Sequence, residues 1–266
     1  MKKVIFVFLI FCFSLTIISC GVNWVSNKDD STSGLFVSVG NSGTIIISSD
    51  GITWTFSTSG TTSILWGINY GNSTFVTVGD SGTILTSSDG ISWDERTSDV
   101  SSTLYGVTYG NSTFVTVGDN GTILTSSDGT TWTSRTSNTS KDLYGVTYGN
   151  NTFVTVGDSG TILTSSSGTR WTSRSGTSTL LNEVIYENST FVTVGDSGTI
   201  LTSSDGTFWT SRTSGASDTL WGVIYGKSAF VVVGPLGTVL TSSDLTTWTS
   251  RTSNTSNNLL EVTYKE

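Results

Sequence analysis

The stretch Gly118 to Trp132, which reads GDNGTILTSSDGTTW, decides the fold because versions of it recur along the chain. Each version ends in a tryptophan, and the six tryptophans lie 39, 39, 39, 38 and 39 residues apart: Trp54, Trp93, Trp132, Trp171, Trp209 and Trp248. A fixed period of this length is typical of repeat architectures, in which each unit packs against its neighbours. We therefore expect one structural unit, present six times between residues 35 and 264.

Each repeat contains four short segments that favour β-strands. In the third copy they are Leu104 to Tyr109, Thr113 to Val117, Thr122 to Ser126 and Thr131 to Arg135. Gly-Asn-Ser, Gly-Asp-Asn-Gly and Ser-Asp-Gly separate them, and these are turn sequences because glycine accepts positive φ and Asp or Asn bonds to the nearby backbone. Four-stranded units of about 40 residues are typical of a β-propeller, with an open solenoid as the alternative.

The two ends of the repeat region favour a closed propeller. The first copy begins at Leu35 without its first strand segment, and residues 259–264 carry that missing segment. We therefore predict an all-β, six-bladed β-propeller of four-stranded antiparallel blades, closed by the C-terminal strand joining the N-terminal blade. Blade one comprises 259–264 and 35–57, and the other blades begin near Leu65, Leu104, Leu143, Leu181 and Leu220.

The N-terminal residues read as an export signal. Lys2 and Lys3 precede an apolar run from Val4 to Ile18, which is shorter than the roughly 20 residues needed to cross a bilayer as a helix. Residues 17–20, Ile-Ile-Ser-Cys, resemble a bacterial lipobox, and this resemblance implies lipid attachment at Cys20; a plain cleaved signal peptide is the alternative. We predict a lipoprotein signal peptide at 1–19, a tether at 20–34 and the propeller at 35–264, anchored at the outer membrane or cell surface rather than the inner membrane.

Composition excludes several classes of function. The chain contains no histidine, which removes Ser-His-Asp and Cys-His mechanisms and histidine metal sites. Its formal charge of −8 disfavours nucleic acid as a partner. Cys12, the only cysteine besides Cys20, lies in the predicted signal, so no disulfide is expected. We expect no metal, no cofactor and a monomer.

The turn Ser126 to Trp132, SSDGTTW, resembles the Asp-box, also called the bacterial neuraminidase repeat. Together with the upstream Gly-Asp-x-Gly-Thr-Ile-Leu, the unit from 35 to 264 also resembles the repeat of the photosystem II stability and assembly factor family. Here the tryptophan follows the aspartate by four residues instead of five. The resemblance implies a propeller in which these aspartates are structural: Asp50, Asp89, Asp128, Asp205 and Asp244, with Ser167 in the fourth copy.

Few carboxylates or arginines outside the repeated positions could serve in catalysis. Sialidases share the Asp-box and need three converging arginines, but the repeated arginines here all follow the tryptophan by three residues and should point apart: Arg96, Arg135, Arg174, Arg212 and Arg251. Glu183 and Glu261 replace a first-strand glycine and could face the central channel as a two-carboxylate site. The alternative is that they are solvated substitutions.

A repeated acidic position offers the better binding candidate. It forms an arc on the face opposite the Asp-box turns, interrupted by Asn41 and Pro235: Asp80, Asp119, Asp158 and Asp196. A cationic protein surface or a divalent cation would suit this arc, although aspartate also simply initiates turns. For the first-strand aromatics we expect core packing, with sugar stacking as the alternative: Trp66, Tyr105, Tyr144 and Trp221.

These observations lead to two hypotheses from different classes. The first is a noncatalytic exported lipoprotein, held to the membrane by its lipid, whose propeller is a protein-binding scaffold at the cell envelope. The second is a carbohydrate-binding or glycoside-hydrolase-like propeller of the sialidase superfamily, with a glycan as its ligand.

Overall fold

The computed structural model describes residues 34–263 and, as a backbone strand, residues 22–24. This part of the chain forms six four-stranded antiparallel sheets, and in each sheet the strands follow one another in sequence order. The all-β class and the four strands of each repeat are therefore confirmed. Within the described residues no helix is long and apolar enough to cross a membrane. Cys20 and the predicted signal peptide lie outside the described residues.

The sheets are numbered as blades one to six, and their strands as β1 to β24. Blades one to three contain β1 (Val22–Trp24), β2 (Phe36–Val39), β3 (Ile45–Ser48), β4 (Thr55–Ser57), β5 (Leu65–Gly71), β6 (Thr74–Gly79), β7 (Ile84–Ser87), β8 (Asp94–Arg96), β9 (Leu104–Gly110), β10 (Thr113–Gly118), β11 (Ile123–Ser126) and β12 (Thr133–Arg135). Blades four to six contain β13 (Leu143–Gly149), β14 (Thr152–Gly157), β15 (Ile162–Ser165), β16 (Thr172–Arg174), β17 (Leu181–Glu187), β18 (Thr190–Gly195), β19 (Ile200–Ser203), β20 (Thr210–Arg212), β21 (Gly222–Gly226), β22 (Ala229–Val233), β23 (Val239–Ser242) and β24 (Thr249–Ser250).

The core lies between neighbouring blades rather than inside any one of them. Between blades two and three, Val76 and Val78 pack with Phe114, Leu124 and the repeat tryptophan, Trp132. Within the described residues, five such clusters join blades one to two, two to three, three to four, four to five and five to six. Because each sheet packs on both faces, residues on both sides of its second strand are buried, as Phe114, Val115, Thr116 and Val117 are in blade three.

First strands lie innermost. In blades two to five they pack against one another, and the last strands are exposed at the periphery. The close approach depends on a glycine: a side chain at Gly67 of β5 would collide with the backbone carbonyl of Tyr105 in β9. The repeated glycine of the first strand therefore brings neighbouring blades together around a common axis.

The structure corrects the predicted first strand of blade one. The strand that pairs with β2 is β1, with Val22 opposite Ser38 and Trp24 opposite Phe36. Residues 259–263, predicted to occupy this position, contain no strand. The predicted closure by the C-terminal strand is therefore wrong for this structure, and a strand lies inside the predicted tether.

The reason is visible in the sequence once the register is known. Val22-Asn23-Trp24 has the same pattern as Ile68-Asn69-Tyr70 of β5, and the two segments pair with their second strands at equivalent positions. A three-residue match separated by a gap from the rest of its repeat is too short to stand out in a sequence comparison.

Candidate functional site

Each Gly-Asp-x-Gly segment forms a one-turn 3₁₀ element that joins the second strand of a blade to the third. In blade three, Asn120 and Gly121 both have left-handed backbone angles, with φ of 54° and 71°. The backbone N–H of Asp119 donates to the carbonyl of Thr103 at 3.0 Å, which fixes the aspartate beside the start of the first strand. The same turn places all four predicted aspartates at equivalent positions, while Asn41 and Pro235 begin the turns of blades one and six.

Three of these aspartates accept a hydrogen bond from a first-strand aromatic side chain of their own blade. The distances are 2.6 Å from Trp66 Nε1 to Asp80 Oδ1, 2.7 Å from Tyr105 Oη to Asp119 Oδ1 and 3.0 Å from Tyr144 Oη to Asp158 Oδ1. In each pair the two residues lie 14 positions apart in sequence. We call these six residues the aromatic–acidic arc.

A β-bulge aims each aromatic side chain at its aspartate. In blade three, Leu104 pairs with Gly118 and Gly106 pairs with Val117, so Tyr105 is the extra residue between two ladder positions. The register shifts at the same place in blades two and four. A bulge redirects a side chain that regular alternation would send elsewhere.

The three rings of the arc also contact one another across the blades. The centroids of Trp66 and Tyr105 are 5.6 Å apart, and those of Tyr105 and Tyr144 are 5.2 Å apart, with tilted or edge-on geometry. Trp66 is 8% exposed, in agreement with the predicted core packing, whereas both tyrosines are partly exposed. Burial, followed by the hydrogen bond to aspartate, raises the pKa of Tyr105 and of Tyr144, so both hydroxyls stay protonated donors.

The arc ends at blade five. Asn182 occupies the bulge position there, and its side-chain amide donates to the carbonyl of Leu220 at 2.9 Å. Asp196 accepts instead from the hydroxyl of Thr219, in the linker to blade six, at 2.9 Å. The four predicted aspartates thus lie on one face, but only three of them form an aromatic pair.

This face is strongly acidic. Linkers between blades add Asp99, Asp142 and Asp218, and Asp142 Oδ1 accepts from the backbone N–H of Asn120 at 2.7 Å. Lys141 is the one basic side chain in these turns and linkers within residues 34–263. The face therefore carries a negative potential that attracts cations and cationic protein segments.

Glu183 and Glu261, predicted either to form a two-carboxylate site or to be solvated substitutions, lie close enough for Glu183 to repel Glu261. Glu183 Oε2 accepts from the backbone N–H of Val223 at 2.6 Å, across the boundary between blades five and six. Glu261, which follows blade six in the chain, packs against Gly222 in the first strand of that blade. Burial raises the pKa of Glu183 to about 7. Burial, followed by repulsion from Glu183, raises the pKa of Glu261 well above its usual range. The two carboxylates are thus not ordinary solvated substitutions.

The Asp-box aspartates have the structural role that the sequence predicted. Asp128 Oδ1 accepts from the backbone N–H groups of Thr130 and Thr131 at 2.8 and 3.0 Å, and from the hydroxyl of Ser126 at 2.9 Å. These bonds lower the pKa of Asp128. In blade four, Ser167 makes a weaker version, with a 3.4 Å bond from the backbone N–H of Thr169.

The repeated arginines do not converge. Each donates from Nε to a threonine hydroxyl of its own blade at 2.8 to 2.9 Å: Arg96, Arg135, Arg174, Arg212 and Arg251. Residues 34–263 contain no cluster of three or more aspartate, glutamate, cysteine or histidine side chains suited to hold a metal ion.

Six radial four-stranded sheets, with 3₁₀ turns on one face and Asp-box turns on the other, define a protein of the β-propeller class. Comparison with solved structures agrees. The chain is similar to YCF48 bound to D1 peptide, with a TM-score of 0.66 and 17% identity over 88% of this chain and 82% of that one. YCF48 from Cyanidioschyzon merolae gives a TM-score of 0.66 and 14% identity over 88% and 85% of the two chains.

An enzyme shares the same fold. The GH74 enzyme of Niastella koreensis gives a TM-score of 0.64 and 20% identity over 88% of this chain and 37% of its own. No protein-family model matches the chain, and no curated protein matches it in sequence. At these identities the similarity establishes the propeller fold, and function has to be argued from the site.

Proposed function

We propose that this chain is a noncatalytic protein-binding scaffold, exported and anchored to the cell envelope through a lipid on Cys20. Its partner binds on the face that carries the aromatic–acidic arc. The observation that carries this proposal is the set of three repeated aromatic–aspartate pairs on a face where residues 34–263 supply many acids and one base.

The arc suits a cationic protein segment. Each paired carboxylate uses one oxygen for its ring donor and keeps further lone pairs for a lysine or arginine of the partner. The partly exposed tyrosine rings add a surface on which such a cation is attracted to the π-system. The pairs repeat from blade to blade, so an extended segment can contact several of them in turn. A YCF48 structure bound to a peptide gives a precedent for peptide binding on a similar propeller.

Partner capture tests this proposal. The bait would be the acylated protein from its own cells, compared with a triple Asp80→Asn, Asp119→Asn and Asp158→Asn variant that keeps the hydrogen-bond acceptors but removes the charge. A Glu95→Gln and Glu187→Gln variant is the control, since both glutamates are exposed away from this face. We expect the triple variant to lose partners that the control retains, and to show weaker salt dependence. Equal capture by both variants would exclude the arc.

The two tyrosines of the arc separate the aromatic contribution from the charge. Tyr105→Phe with Tyr144→Phe keeps both rings and both carboxylates but removes the two hydroxyl donors. We expect partner binding to persist in this variant, because the freed carboxylate oxygens can accept from the partner instead. Loss of binding would mean that the hydroxyls, rather than the charges, contact the partner.

The lipid anchor needs its own experiment. Labelled fatty acid should enter the protein in cells and should be absent from a Cys20→Ser variant, which we expect to appear in the soluble fraction. Incorporation of label into Cys20→Ser would refute acylation at this residue.

A carbohydrate-active function remains the second candidate because of the Glu183 and Glu261 pair. A carboxyl group with a raised pKa is a requirement of a general acid in glycoside hydrolysis, and the similar GH74 structure is that of an enzyme. Hydrolysis of a panel of polysaccharides that is abolished by Glu183→Gln would favour this candidate. Glycan cleavage unaffected by that substitution would rule out the pair as its catalyst.

A further inference from the structure

Two segments of the chain carry the sequence of the first strand of blade one. Val22-Asn23-Trp24 occupies that position as β1. Residues 262–264, Val-Thr-Tyr, show the same pattern, which is also found in Ile68-Asn69-Tyr70 of β5 and Val223-Ile224-Tyr225 of β21. Both segments therefore have an apolar, a variable and an aromatic residue in the same order.

The chain leaves blade six through the same kind of backbone hydrogen bond that precedes the first strand of other blades. The backbone N–H of Leu259 donates to the carbonyl of Gly234 at 3.0 Å. The equivalent bond into blade six runs from Leu220 to Gly195 at 2.9 Å. After the Leu220 bond β21 begins at Gly222, and the matching bond from Leu65 to Gly40 at 3.1 Å lies at the first residue of β5. Leu259 is therefore held where a first strand begins in these two blades.

Glu261 also has the position of a first-strand residue. A Cβ added at Gly222 of β21 would lie 3.1 Å from the Cα of Glu261. A Cβ added at Gly145 of β13 would lie 3.1 Å from the Cα of Glu183 in β17, the first strand of the following blade. Glu261 thus lies beside blade six as Glu183 lies beside blade four, although residues 259–263 form no strand.

We propose that the first strand of blade one is exchangeable between these two segments. In the second arrangement Val262 lies opposite Ser38 and Thr263 opposite Val37, and Val22–Trp24 is released from the sheet. The two arrangements use the same edge of β2 in the same register and have similar sequences, so their free energies are close enough for both to be populated.

The exchange changes the length of the N-terminal tether. With β1 in place, Gly21 alone separates Cys20 from the sheet. With Val22–Trp24 released, residues 21–35 become a linker with a root-mean-square reach of about 20 Å if flexible. Where Cys20 is acylated, the propeller is therefore either held against the membrane or free to reach away from it.

Paired proline substitutions test the exchange. One variant carries Val22→Pro and Asn23→Pro, a second carries Val262→Pro and Thr263→Pro, and a third carries all four. Because adjacent strand residues alternate in ladder bonding, each pair removes at least one ladder donor. We expect each paired variant to lower Tm by less than about 3 °C and the fourfold variant to lower it by more than about 8 °C. A large loss in either paired variant alone would show that one segment serves exclusively, and no loss in the fourfold variant would show that neither serves.

Blade two supplies the matched control, since it has no alternative first strand. Ile68→Pro with Asn69→Pro should lower Tm as much as the fourfold variant does. Hydrogen exchange on the unsubstituted protein gives a second measurement that needs no folded variant. Peptides covering 22–24 and 262–264 should each show partial protection while residues 36–39 are fully protected. Full protection of one segment with none in the other would overturn the proposal.

Discussion

Replacing Glu183 by glutamine should stabilise the propeller, and only above acidic pH. The folded protein raises the pKa of Glu183 from 4.5 to about 7, because burial penalises the ionised carboxylate more than its bond from Val223 favours it. A carboxyl whose pKa is raised by folding is protonated at no cost below pH 4.5. Its ionisation removes stability progressively as the pH rises from 4.5 to about 7, and the loss is constant above that range.

The magnitude follows from the same two values. Each pH unit between the unfolded and folded pKa corresponds to about 1.4 kcal/mol, so the full penalty for ionised Glu183 is on the order of 3 kcal/mol. Glutamine keeps the size of the side chain and an oxygen that can accept from Val223, but it never ionises. The substitution also removes the repulsion by which ionised Glu183 raises the pKa of Glu261, so the pKa of Glu261 falls. Both effects favour the variant at high pH.

Urea unfolding measured at intervals from pH 4 to 8.5 would check this. We expect equal stability at pH 4 and an advantage for Glu183→Gln that approaches about 3 kcal/mol at pH 8.5. Glu95→Gln is the matched control, because Glu95 is exposed on the outer strand of blade two and should leave the pH profile unchanged. Parallel stability curves for Glu183→Gln and the unsubstituted protein would refute the reasoning.

Two further predictions concern the repeated turns, and both are read from urea unfolding. Gly121 has φ of 71° and faces the carbonyl of Thr139, so Gly121→Ala should lower the free energy of unfolding by about 3 kcal/mol. Gly60 has φ of 77° with nothing within 4 Å of an added carbon, so Gly60→Ala should lower it by about 1 kcal/mol. Equal losses would show that crowding is unimportant. Ser126→Ala removes the acceptor of a buried backbone N–H at 2.8 Å and should cost about 1 to 2 kcal/mol, whereas its exposed neighbour Ser127→Ala should cost less than about 0.5 kcal/mol. Equal effects of the two serine substitutions would contradict the role assigned to the Asp-box turn.

The strands could be predicted from the sequence because one pattern, repeated six times, reports the same structure each time. Predicted segments in the third copy differ from β9 to β12 by at most two residues at either end. The role of the Asp-box turn was also predictable, since an aspartate in a tight turn commonly accepts hydrogen bonds from the backbone that follows it. Repetition turned weak local signals into a confident assignment of the fold.

The aromatic–aspartate pairs could not be predicted in the same way. Regular alternation along β9 does not reveal where Tyr105 points, because the β-bulge at that residue changes the direction of its side chain. The constant spacing of 14 residues between Tyr105 and Asp119 was present in the sequence, as it was in the equivalent pairs. Only the register shows that this spacing brings a hydroxyl to a carboxylate.

Glu183 and the arc are separate features, and this separation makes one variant informative about both candidate functions. Repeated residues supply the blade contacts, so the scaffold does not need a carboxylate at Glu183, where other first strands have glycine. The raised pKa means that the carboxylate lowers stability near neutral pH. If the protein acts only through the arc, Glu183→Gln should gain stability and keep its partner. If Glu183 and Glu261 carry the function, the same variant should be more stable but inactive, because the destabilising charge is then retained for its chemistry.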